Sequence, residues 1–182
     1  MRATFLKNPL FRFVLTAAGS YFLWYVLYES WLKPYSNLDE WVISNIVTHA
    51  KSGLSFLGYH LTETPNMAWN HIAIEGTGGV LIGAPCDGII LFTLFSIFVV
   101  AFPGSLKHKL WFIPLGILSI HIVNVMRVIA LAVIVSIDES WLSFNHDYTF
   151  TILTYAWVFT LWVIWVKRFS PLRASNRTIS KD

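Results

Sequence analysis

The sequence predicts an all-α integral membrane protein, and three observations predict it. Of 182 residues, 55% are hydrophobic and 13% charged, with a mean hydropathy of +0.59, which leaves a water-soluble fold too little polar surface to cover itself. The apolar residues gather into four runs, 13–32, 88–102, 111–137 and 148–166, against the ~20 residues a helix needs to cross a bilayer. Ten of the thirteen Lys and Arg residues lie at 2–12, 107–109 and 167–181, segments that share one side if the chain crosses four times. The expected architecture is one membrane domain over 1–182 of about four transmembrane helices, an extracytoplasmic amphipathic helix and a short β-hairpin ahead of the only cysteine.

In order, Arg2, Lys7 and Arg12 make 1–12 a basic leader, and 13–32 follows as the first span, broken only by Glu29. It is too long for a signal-peptide core and no small-residue cleavage site follows it, so it reads as an uncleaved anchor. Ala17-Ala18-Gly19-Ser20 would let another helix approach closely. Residues 33–85 are the least hydrophobic part of the body. Within them Leu38, Trp41, Val42, Ile46, Ala50, Leu54 and Leu57 recur at three-to-four spacing, with Asp39, Glu40, Asn45, His49 and Lys51 opposite, the pattern of an amphipathic helix in the membrane interface. After a loop at 62–66, residues 68–75 and 80–83 read as strands joined by Gly76-Thr77-Gly78-Gly79, which supplies the positive φ a hairpin needs.

That hairpin delivers Cys86 to the mouth of the second span, 88–102. Unpaired N–H groups and the positive end of a helix dipole there favour a thiolate. A polar loop at 105–109 leads to the third span, 111–137, which carries His121, Asn124 and Arg127. An acidic loop over 138–147 ends with His146, the fourth span follows, and 167–182 is a basic tail expected to be disordered. The positive-inside rule puts leader, first loop and tail in the cytoplasm, and places 33–85 and 138–147 outside a cell inner (plasma) membrane. Basic charge therefore reports topology, despite a pI near 9.1, and no nucleic-acid partner is expected. One cysteine permits no internal disulfide.

Arg127 is the basic residue left inside a span, where a charge costs ~2.5 kcal/mol or more and normally faces protein or a wet cavity. Counted from Leu110, Arg127 lies ~25 Å up its helix, and counted from Phe102, Cys86 lies ~24 Å up its own. His146 stands just before the last span, so Cys, Arg and His converge on the extracytoplasmic level. A thiol nucleophile, a proton-moving imidazole and an anion-holding guanidinium are the parts of acyl transfer. Asn124, one turn before Arg127, is a supporting residue that could orient the guanidinium or a substrate carbonyl; His121 continues the same line inward and, ~9 Å below Arg127, reads as an interhelical hydrogen-bonding residue.

Cys86-Asp87-Gly88 opening a membrane helix, Asn124-Val125-Met126-Arg127 inside a later one and His146 before the last resemble the exosortase/archaeosortase family of membrane cysteine transpeptidases. The resemblance covers roughly 76–166 and implies Cys86, Arg127 and His146 as catalytic residues, with Asp87 and Gly88 beside the nucleophile. It implies as partner the C-terminal sorting-signal helix of exported proteins, cleaved and passed to an acceptor at the cell surface. Many members have Ser where this chain has Asp87. No cofactor or metal is expected, the six histidines being scattered without paired ligand spacing. The competing expectation is a transporter or accessory subunit using His121, Asn124 and Arg127 as a polar path.

Overall fold

The computed structural model describes residues 8–62 and 68–169. The first part of the leader, most of the 62–66 loop and the tail beyond 169 lie outside the described residues. Nearly everything described is helical. Three helices are long and apolar enough to cross a membrane, Leu10–Tyr35, Leu106–Ile137 and Glu139–Phe169.

Helix α1, Pro9–Leu27, starts where Asn8 Oδ1 accepts the N–H of Leu10 at 3.0 Å and proline occupies the first turn, its missing donor costing nothing there. It runs on through a π-helical stretch, Tyr28–Leu32, to Lys33–Tyr35. Most of α1 is exposed, and in its N-terminal half Phe13 sets its ring edge-on to Phe98 and Phe102. Gly19, in the small-residue run expected to allow close packing, meets nothing within 4 Å.

Helix α2, Leu38–Phe56, buries Val42, Ile43, Ile46, Val47, Ala50 and Leu54. That face packs against the long membrane helix, while Trp41 and Leu57, expected on the same side, are exposed. Strands β1, His71–Ile72, and β2, Val80–Leu81, pair antiparallel in the register His71↔Leu81 and Ile72↔Val80. They are shorter than the expected strands because the chain leaves the ladder early: Thr77 donates both its N–H and its hydroxyl to the carbonyl of Ile74. Gly79 (φ +73°) lies so close to Ile72 and Ala73 that no Cβ would fit.

A 3₁₀ turn, Ala84–Cys86, leads into α3, Ile89–Ala101. At 13 residues α3 is ~20 Å long, below the ~30 Å of a hydrocarbon core. Helix α4, Leu106–Ile137, begins five residues earlier than expected because the Ser105 side chain caps it by accepting the N–H of His108. The acidic 138–147 segment is also helical rather than a loop: Glu139–Trp141, Leu142–Phe144 and a π-helical stretch, Asn145–Thr149, lead directly into α5, Phe150–Phe169.

Two cores result. One joins α2, the hairpin and the second half of α4 through Ile46, Leu54, Ile72, Ile82, Val128 and Leu131, and includes Cys86. The other joins α3, α4 and α5 through Phe95, Val99, Phe112, Ile120, Leu161 and Trp165. In lipid, burial supplies little driving force, so this second core depends on close contact. Close contact is available because Gly116 lies directly beneath the Phe95 ring and Gly104 beneath Trp165.

Candidate active site

Cys86 is fixed by the backbone around it. Its N–H donates to the carbonyl of Gly83 at 2.9 Å, and its own carbonyl accepts from Asn124 Nδ2 at 2.5 Å. Asn124, 1% exposed, therefore spends an amide hydrogen on the cysteine turn rather than on Arg127 or on a substrate carbonyl. Asp87 turns its carboxylate to the first turn of α3, where Oδ1 accepts the N–H of Ile89 at 2.8 Å. Gly88 adopts φ +79°, and a Cβ there would sit 3.4 Å from Asn124 Nδ2 and 3.5 Å from the Phe92 ring. Glycine is required at this position by its left-handed backbone.

His146 comes from the π-helical stretch before α5 and places Nε2 3.3 Å from the Cys86 sulfur. Its Nδ1 stands 2.8 Å from Asp147 Oδ1. Cysteine, histidine and aspartate thus form one continuous relay, and Asp147 is the residue that sequence reasoning missed. An adjacent His-Asp pair at the threshold of an apolar run is the signal that was there to be read. The His146 side chain is 31% exposed and that of Asp147 61%. π-Helical turns are rare and recur at functional sites, and in this one the His146 carbonyl accepts from two side chains. Thr151 Oγ1 donates to it at 3.0 Å and Arg127 Nη2 at 3.3 Å.

Arg127 is 8% exposed, and its Nε has no hydrogen-bond partner, nor does Asn124 Oδ1. Burial pushes the Cys86 thiol above its ordinary 9.0; Arg127 and the backbone at Gly83 pull it back down, and Asp87 pushes it further up. Burial wins, contrary to the thiolate expected from a helix mouth. Burial likewise pushes Asp87 up to about 6, against the N–H of Ile89 and helped by the charge of Asp39.

His121 departs from the line expected with Asn124 and Arg127. Three-residue steps turn a helix by only about 300°, so each step falls about 60° short of the same face. His121 makes the interhelical contact expected of it, with His49 of α2 across 3.4 Å, while Asn124 and Arg127 face Cys86 and His146.

A cavity of ≈ 270 Å³ opens beside the relay, between the first turns of α3 and α5 with α4 behind. Pro85, Asp87, Arg127, His146, Thr151 and Tyr155 are among its lining; no residue of α2 or the hairpin is. Helix α2 and the hairpin instead pack with Cys86 in the first core, away from this cavity. The thiol is 5% exposed and sits behind this lining. Among the described residues no group of three or more His, Cys, Asp or Glu is placed to hold a metal ion. The site can move a proton between sulfur and imidazole beside a buried cation. Comparison with protein-family models, with curated proteins and with solved structures gives no match to this chain.

Proposed function

We propose that the chain is a membrane-embedded cysteine peptidase or transpeptidase of the exosortase kind, acting on the C-terminal sorting signal of exported proteins. The observation that carries this reading is the 3.3 Å approach of the Cys86 sulfur to His146 Nε2 across 60 residues of sequence, with Asp147 behind the ring and Arg127 beside it. With Asp147 accepting from Nδ1–H, Nε2 is the basic nitrogen. Because burial holds Cys86 as a thiol, His146 takes the proton as the S–C bond forms, in preference to a standing thiolate-imidazolium pair. Arg127 stabilises the tetrahedral oxyanion by charge and by N–H donation from its guanidinium. As that intermediate collapses, the C–N bond breaks and His146 returns its proton to the leaving amine. Water or an acceptor amine then attacks the thioester, and the sulfur regains a proton.

In this reading α3 acts as the fourth crossing, a short one packed against α4 and α5. The Lys and Arg bias supports a relay on the extracytoplasmic face. The opposing reading, a polar path through His121, Asn124 and Arg127, is disfavoured by the turning of His121 toward α2.

The test is acid-quenched membranes from expressing cells, digested and analysed for a peptide thioester on Cys86. A hydroxylamine-labile acyl adduct, absent from Cys86→Ala and strongly reduced in His146→Ala, is the expected result. If no adduct forms and Cys86→Ala leaves the processing of surface proteins unchanged, the peptidase reading is wrong. A product found covalently joined to an acceptor amine separates transfer from hydrolysis.

A further inference from the structure

At the end of the bundle away from Cys86, α1, the end of α3 and the start of α4 enclose a second cavity, of ≈ 310 Å³. It is lined by Arg12, Thr16 and Lys109 together with Phe13 and Phe102 and the Pro103-Gly104 turn. Lys109 is pinned there, its Nζ donating to the carbonyl of Val100 at 2.6 Å. No acidic side chain lines the cavity, and the ion pairs found among the described residues lie elsewhere, at Lys33 with Glu29 and His146 with Asp147. Residues 8–28, 88–137 and 148–169 contain no Asp or Glu at all, so the helices around this cavity offer the two cations no counter-charge. The cavity also lies where two spans begin, at Leu10 and at Leu106, which is headgroup level in a bilayer.

From this geometry we infer that the cavity binds the phosphodiester headgroup of an anionic phospholipid. Arg12 and Lys109 contact the phosphate, Thr16 donates a hydroxyl, and the acyl chains run along Phe13 and Phe102. Basic pockets between membrane helices suit such heads, and apolar walls continuous with lipid suit their tails. The bound lipid bridges α1 to the α3–α4 turn. That bridge has a structural purpose, because α1 is otherwise peripheral, with Phe13 against Phe98 and Phe102 among its contacts at this end. The inference is independent of the chemistry at Cys86.

The experiment is native mass spectrometry of the full-length protein in detergent micelles, titrated with phosphatidylglycerol or phosphatidylcholine of matched chains. Retention should favour phosphatidylglycerol by roughly 30-fold, the ratio that two cations at about 1 kcal/mol each would give near a membrane surface. Arg12→Gln and Lys109→Gln should each reduce that preference about five-fold, whereas Lys107→Gln, outside the lining, should leave it intact. Millimolar inorganic phosphate should not displace the lipid. Equal retention of the two lipids overturns the proposal, as does a preference insensitive to both substitutions. Full displacement by phosphate overturns it in favour of a free-anion site. Should either neutral variant fail to fold, Arg12→Lys and Lys109→Arg retain the charge, and the wild-type lipid preference still decides the outcome.

Discussion

Arg127 makes its hydrogen bond to the backbone carbonyl of His146, at 3.3 Å, and acts on the Cys86 sulfur only through its field. Two effects of one guanidinium can therefore be separated. Arg127→Ala removes both: the Cys86 pKa rises further, and turnover of a peptide substrate falls by roughly 10²–10³, the usual cost of losing an oxyanion-stabilising donor. Arg127→Lys keeps the field and loses the planar fork, so its thiol should titrate near wild type while turnover stays low. The pH dependence of Cys86 alkylation in nanodiscs, measured beside turnover, checks both. Since the thiol starts above its ordinary range, the wild-type alkylation rate should still be climbing at pH 9.0, and its plateau should come later still in Arg127→Ala.

Asp147 orients His146, but from the surface. Its side chain is 61% exposed, so solvent screens its charge and the orienting contact is worth no more than about 1 kcal/mol. Asp147→Asn should reduce turnover by no more than about five-fold, whereas His146→Ala, which removes the proposed proton carrier, should cost ~10²–10⁴. A loss in Asp147→Asn as deep as that in His146→Ala would mean that the aspartate is shielded during the reaction, with the bound substrate covering it.

Much of this site is legible from helix arithmetic. Rise per residue places Cys86 and Arg127 at one height, and the start of the last apolar run adds His146. The residues that escaped are those whose role depends on a local departure from the α-helix. The 138–147 segment looks like a loop because it is acidic, yet it is helical, and its π-helical turn presents His146 and Asp147 together. Asn124 shows the complementary failure: its position is readable, but its partner, the Cys86 carbonyl, belongs to a 3₁₀ turn that composition does not reveal. The runs themselves mark the helices, while their ends shift wherever a cap such as Ser105 extends one.

Asp87 gives a pH signature of stability. Its pKa is raised in the folded protein, from 3.8 to about 6, so the stabilisation tied to its protonated form is fully present below 3.8 and is lost as pH rises through about 6. At 5% exposure the group is buried enough for the shift to matter, and ~2 units correspond to about 3 kcal/mol. Asp87→Asn keeps an acceptor for the N–H of Ile89 and removes the titration. Thermal unfolding in detergent between pH 4 and pH 7 should show the wild type losing stability relative to Asp87→Asn across that interval, and parallel curves would show that the carboxyl is solvated.

The contact of Phe95 with Gly116 seats α3 on α4. A Cβ added at Gly116 would fall inside the ring of Phe95, which is itself fully buried, so the ring cannot swing out to solvent and must push the helices apart. Overpacking of this kind costs roughly 1–3 kcal/mol. Displacing α3 would also draw the Cys86 turn away from Asn124 and His146, so Gly116→Ala should lower both the unfolding temperature and Cys86-dependent turnover although Gly116 lies more than two helical turns from Arg127. Phe95→Leu opens space of its own and destabilises alone. Combined with Gly116→Ala it should recover part of the loss, because the methyl group occupies volume the ring has left, and neighbouring sites in contact are coupled. A double-mutant cycle on unfolding temperature and turnover measures that coupling. Strictly additive losses would show that α3 is held by contacts other than the Phe95–Gly116 pair, and the placement of Cys86 would then have to be traced to the hairpin side of the turn.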